Sequence, residues 1–165
     1  MSDKKLTMRR ALLEDAPLLF NMIRELAEYE KMQADVTGTA SMLRDNMESG
    51  LVHALIAEYD GHAAGFALYF FNYSTFKSKR GLYLEDLFVR PAFRKLGIGK
   101  ALFLQLVDTA ASSGCGRMEW CCLNWNAPSI AFYQHMGARP LNEWTTWRLD
   151  EADFPSLHRN RKINY

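Results

Sequence analysis

Between Leu84 and Phe103 the chain changes its hydrophobic period, and that change limits what it can fold into. Leu84-Glu-Asp-Leu-Phe-Val89 reads as a strand and stops at Pro91, which cannot donate to a ladder. A short turn follows, holding Arg94, Gly97 and Gly99. From Gly99 the apolar residues Leu102, Leu106 and Ala110 recur at helical spacing. A strand feeding a glycine-containing turn at a helix start aims several backbone N–H groups at one point, where the helix dipole is positive. This geometry suits an anion, so the segment predicts a phosphate-bearing ligand.

The surrounding pattern predicts a mixed α/β fold, mostly antiparallel, with helices on both faces of one sheet. Leu6 to Leu12 reads as a strand. A helix follows from Glu14 and Asp15, with Leu19, Ile23 and Leu26 on its buried stripe. Met32 to Gly38 reads as a loop and Thr39 to Glu48 as a second helix. Val52 to Glu58 and Ala63 to Tyr73 form a hairpin around Asp60-Gly61. Ser74 to Arg80 reads as a loop and Gly81 to Val89 as the next strand. After the helix from Gly99 to Ser113 come a strand from Arg117 to Leu123 and a helix from Pro128 to Met136. Two short strands are expected around Asn142-Glu143, between Arg139 and Asp150. The order is β-α-α-β-β-β-α-β-α-β-β. With 165 residues and 48% hydrophobic content, one domain spanning 1–165 is expected.

A formal net charge of +1 gives no support to nucleic-acid binding, and the clusters Lys77-Ser-Lys79-Arg80 and Arg159 to Lys162 are small. No apolar run approaches the roughly 20 residues of a membrane span. No apolar signal region follows Met1-Ser-Asp-Lys-Lys5. Cys115, Cys121 and Cys122 lack Cys-x-x-Cys spacing and suit a reducing compartment, so a cytoplasmic location is expected. Histidine and cysteine spacing offers no metal site. The basic end, His158 to Lys162, reads as loosely held.

Three glycine-rich readings compete for the turn. A Walker loop needs glycine at 94 and a hydroxyl at 101, where the chain has Arg94 and Ala101. A dinucleotide fingerprint needs a third glycine where Leu102 stands. The remaining pattern is Arg94-Lys-Leu-Gly97-Ile-Gly99. It is followed by Asn124-Trp-Asn126-Ala-Pro-Ser-Ile-Ala-Phe-Tyr133 and then Gly137-Ala138. On these segments the sequence resembles the GCN5-related N-acetyltransferases. Arg24-Glu-Leu-Ala-Glu-Tyr-Glu30, Gly65-Phe-Ala-Leu-Tyr-Phe-Phe71, Leu82-Tyr-Leu-Glu-Asp-Leu-Phe-Val89 and Trp147-Arg-Leu149 are similar to its spermidine/spermine branch.

The resemblance implies an enzyme that moves an acetyl group from acetyl-CoA to a primary amine by direct attack in a ternary complex, without metal. Arg94, Lys95, Leu96, Gly97, Ile98, Gly99 and Lys100 would surround the diphosphate, and Leu87, Phe88 and Val89 would pair with the pantetheine arm. Asn126 would fix the cofactor arm or its neighbouring strand, cap a helix, or do both. An alkylammonium has a pKa of about 10.4, so the neutral nucleophile is scarce and a base is useful. Glu85, a carboxylate in an apolar strand, is the candidate base, the other reading being a solvent-facing residue. Tyr133 is the candidate acid for the leaving thiolate, the other reading being a core aromatic.

Asp86 faces away from Glu85 on a regular strand, whereas a bulge would let both line one site. The resemblance gives Asp86, Tyr29 and Glu30 to the cationic acceptor; a salt bridge for Asp86 and a solvated helix face for Glu30 remain alternatives. The acceptor that the resemblance implies is a polyamine, with a short diamine or a lysine-like amine such as thialysine equally open. A protein or peptide amine, and a non-catalytic coenzyme A sensor, are the alternatives. A homodimer is implied by resemblance. Tyr69, Phe70, Phe71, Tyr73 and Phe76 read as core, Tyr83 as an acceptor stacker, Trp147 as packing or an acceptor stacker, and Cys121 and Cys122 as packing.

Overall fold

The structure is a computed structural model and describes residues 5–159. The start of the chain and most of the basic end therefore lie outside the described residues. The chain divides into two compact units, Met1–Cys121 and Cys122–Tyr165.

The first unit is built on β1 (Leu6–Arg10), α1 (Ala16–Glu30), α2 (Ala40–Glu48), β2 (His53–Tyr59), β3 (His62–Ser74), β4 (Lys79–Val89), α3 (Ile98–Ser112) and β5 (Met118–Glu119). The five strands lie in sequence order in one sheet. β1 to β4 pair antiparallel, and β5 adds to β4 in parallel. The mixed α/β sheet expected from the sequence is thus present.

Alternation along the strands builds two apolar faces. Ala54, Ile56, Phe66, Leu68 and Phe88 meet Leu19, Met22 and Leu26 of α1, forming one core layer. Leu55, Ala57 and Ala67 alternate onto the other face, and α3, whose Leu102, Phe103 and Leu106 are buried, packs against β2, β3 and β4. The start of α1 is pinned by charge: Arg9 of β1 reaches Asp15 with both terminal nitrogens (2.6 and 2.9 Å), while its Nε donates to Glu58 of β2 (2.9 Å). The hydroxyl of Thr39 caps α2 by accepting from Met42 N–H at 3.2 Å.

β5 is shorter than expected. It pairs only through Leu82↔Met118 and Tyr83↔Glu119, so the strand reading of Arg117 to Leu123 holds for two residues. The cause lies in β4: Leu68 pairs with Asp86 and Tyr69 with Leu84, leaving Glu85 as the extra residue of a bulge. A bulge bends the strand that carries it, and the parallel ladder ends just before it. Phe76 and Tyr73 are also not core; they sit exposed at the end of the β3–β4 hairpin.

The second unit carries α4 (Ala127–His135) and α5 (Phe154–Arg159). Residues 139–150 form no strand, against the expected pair around Asn142. That unit has no other strand among its described residues, and a two-stranded hairpin alone is marginal in water. Trp147 is exposed, which corrects its reading as packing.

Candidate active site

The bulge decides where the carboxylates of β4 go. Leu68 alternates onto the α1 face, so its partner Asp86 does too. Tyr83, opposite Phe70, shares that side. Glu85 is exposed at the bulge itself. The alternation that would separate Glu85 from Asp86 is thereby broken, and the last turn of α1 brings Glu30 within electrostatic reach. Burial, then the charges of Glu85 and Glu30, push the Asp86 carboxyl up to about 7. Burial also raises Glu30. No cation forms an ion pair with these three groups among the described residues. The cluster is therefore short of positive charge.

Two neighbours meet beside this cluster: Tyr83, read from the sequence as a stacker on the acceptor stem, and Cys121, read as packing. The Tyr83 phenol donates to Cys121 Sγ at 3.2 Å. Burial, that hydrogen bond and the charges of Glu85 and Glu119 hold the phenol well above its ordinary pKa, so it stays protonated. Cys121 is exposed, which corrects its reading as a packing residue. Nothing in the sequence signalled this pair, because the residues meet only when β5 joins β4.

The turn after β4 is shaped by backbone conformation. A single 3₁₀ turn (Pro91–Phe93) leads to Lys95 with φ 64° and Gly97 with φ 78°. α3 starts at Ile98 with no side-chain cap, and its first internal bond runs from Ala101 N–H to Gly97 O at 3.0 Å. The N–H groups of Ile98, Gly99 and Lys100 precede that bond and point out of the helix end. Ile98 is buried and anchors the turn, while Leu96 and Lys95 face solvent.

Leu87, Phe88 and Val89 pair with Ala67, Phe66 and Gly65 along one edge. Beyond Tyr83, no strand pairs with the other edge of β4 among the described residues. An uncapped, positive helix end beside an unfilled strand edge fits a diphosphate joined to an amide-bearing arm, as acetyl-CoA has. The Arg94 side chain is already engaged: its Nε donates to Val89 O at 3.1 Å, and its guanidinium lies 4.8 Å from the centre of the Tyr29 ring.

The second unit holds the other two expected residues. Asn126 is buried and its Oδ1 accepts from Ser129 N–H at 3.3 Å, the cap that starts α4. Tyr133 lies on α4, half-buried, with its ring edge-on to Phe132 at 5.3 Å.

Residues 14–138 match the model of the acetyltransferase (GNAT) family. A thialysine N-epsilon-acetyltransferase from Caenorhabditis elegans is 39% identical over 142 residues, covering 84% of this chain and 88% of that protein. The human spermidine/spermine N(1)-acetyltransferase-like protein 1 is 34% identical over 151 residues, 86% of this chain but 22% of that longer protein. Among solved structures, an integron cassette protein from the mobile metagenome of V. cholerae superposes with a TM-score of 0.77 at 23% identity, covering 93% of this chain and 98% of that one, a likeness of fold. The chain belongs to the GNAT acetyltransferase family and is an acetyl-transferring enzyme.

Proposed function

We propose that the chain is a single-domain N-acetyltransferase that moves the acetyl group of acetyl-CoA to a primary amine of a lysine-like amino acid or a small polyamine, by direct attack in a ternary complex. The observation that carries this reading is the grouping of Glu85, Asp86 and Glu30 beside the open edge of β4. Three carboxyl groups short of a cation attract a cationic amine, and the exposed Glu85 offers an acceptor for its proton close to where the acyl donor would lie.

Acetyl-CoA supplies the electrophilic thioester when bound. The main-chain N–H groups from Gly97 to Lys100 bind its diphosphate, with the backbone at Arg94 and the residues Lys95 and Leu96 shaping the approach. Leu87, Phe88 and Val89 hold its amide arm, and an N–H of that edge serves as oxyanion donor. Asp86, Glu30 and Tyr29 bind and orient the acceptor. Glu85 takes the ammonium proton, directly or through water. Tyr133 gives a proton to the departing thiolate, and Asn126 holds the start of the helix that presents it. The names of the relatives favour a small amine over a protein amine as acceptor. A homodimer working in the cytoplasm completes the reading.

The deciding experiment follows thiol release from acetyl-CoA with thialysine, lysine, putrescine, spermidine, spermine and a peptide amine as acceptors. Turnover with thialysine or a polyamine, well above that with the peptide, is the expected result. Turnover with the peptide alone would replace this reading.

A further inference from the structure

The Arg94 side chain does not behave as a free anion ligand. It makes two contacts: Nε donates to the carbonyl of Val89, the last residue of β4, and the guanidinium carbon lies over the Tyr29 ring, 4.8 Å from its centre. The first contact ties the turn to the strand that precedes it; the second ties the same turn to the last turn of α1, 65 positions earlier in the chain. α1 also carries Glu30, one residue on, whose charge acts on Asp86. A neighbouring arginine makes a parallel link: Arg90 holds Glu25 of α1 through two nitrogens at 2.8 and 2.7 Å and donates to Ala63 O at 2.8 Å. Two arginines at the end of β4 thus grip one flank of α1, one through a carboxylate and one through an aromatic ring.

We propose that Arg94 is a positioning residue for the acceptor side of the site, acting through Tyr29, and that its guanidinium contributes little to holding the diphosphate. The proposal rests on the assignment of Tyr29 and Glu30 to the acceptor. A planar guanidinium both donates in its plane and stacks through its face, so lysine cannot replace it here. The main chain of the turn remains free for the diphosphate, whatever stands at the side chain of position 94.

The test measures KM for acetyl-CoA and for the acceptor separately in R94K and R94Q. A cation–π contact at an exposed site plus one hydrogen bond corresponds to an acceptor KM raised about 3- to 10-fold, with KM for acetyl-CoA changed less than about 2-fold. The R94K effect should persist in a Y29F background, which keeps the ring, and vanish in Y29L, which removes it. A rise confined to KM for acetyl-CoA would overturn the proposal and return the guanidinium to the diphosphate. An R94K effect of equal size in Y29L would overturn it too, since Tyr29 would not be the intermediary. If the wild-type chain acetylates none of the small amines, the acceptor assignment fails by itself. The link is then read from a thermal-unfolding cycle of R94K, Y29L and the double variant, in which strict additivity overturns the proposal.

Discussion

Glu85 and Asp86 are chain neighbours that a bulge draws into one electrostatic unit, and the charge of the first helps to keep the second protonated near neutrality. On a regular strand the two would face opposite sides of the sheet. One inserted residue turns an alternating strand into a carboxylate pair.

Asp86 should therefore impose a pH dependence opposite to that of a salt-bridged carboxylate. Its folded pKa of about 7 lies above the ordinary 3.8. The folded chain holds a proton that the unfolded chain releases, so the associated stability is complete below about pH 4 and is lost as pH rises through about 7. Replacing Asp86 with Asn should raise Tm at about pH 8 and leave it nearly unchanged at about pH 4. The same change should raise acceptor KM about 10-fold or more at about pH 8, because the cation loses its counter-charge. Parallel Tm shifts at both pH values would count against the buried-carboxylate account.

Glu85 sits exposed at the bulge, open to the amine and to water. Glu85→Gln should lower turnover most severely below the optimum pH, where the free amine is scarcest. A variant whose pH–rate profile superposes on that of the wild type would remove Glu85 from proton transfer.

Tyr133→Phe should cut turnover by about 10- to 1,000-fold while acetyl-CoA still binds, in line with the loss of one proton donor. Calorimetric titration of acetyl-CoA alongside steady-state rates checks both halves of this expectation. Equal turnover in the two proteins would leave the phenol a packing role only.

Two glycines separate backbone strain from cofactor approach. Gly97 has φ 78°, and no atom lies within 4 Å of a Cβ added there, so Gly97→Ala pays only for the left-handed backbone, about 1–2 kcal/mol, and should lower Tm. Gly99 lies in the first turn of α3, and an added Cβ would make ordinary contact with Val89 Cγ2 at 3.7 Å. Gly99→Ala should keep or raise Tm while raising KM for acetyl-CoA several-fold, because the methyl occupies the space where a diphosphate approaches. Unchanged KM in Gly99→Ala would place the diphosphate elsewhere.

Local signals carried most of the fold. Asp60-Gly61 announced the β2–β3 hairpin and Asn126 the cap that starts α4, each through chemistry confined to a few neighbouring residues. The turn from Arg94 to Gly99 was legible for the same reason. The bulge at Glu85 was not, because two-residue alternation reads the same whether or not a strand takes an extra residue; only pairing with Leu68 and Tyr69 reveals it. Arg94 with Tyr29, and Tyr83 with Cys121, are far apart in sequence, and no local pattern announces such meetings. Strand propensity around Asn142 overstated what those residues form, since propensity cannot supply a neighbour to pair with.

The margin of β4 past Tyr83, which no strand pairs among the described residues, has a consequence apart from catalysis. Unpaired strand margins recruit other chains, and covering them protects the monomer. Whatever occupies that margin in the native state is also a thermodynamic ballast: at about 100 times its dissociation constant, a bound donor adds about 2.7 kcal/mol to the unfolding free energy. On the proposed function, withdrawing acetyl-CoA should therefore lower the unfolding temperature of the purified chain.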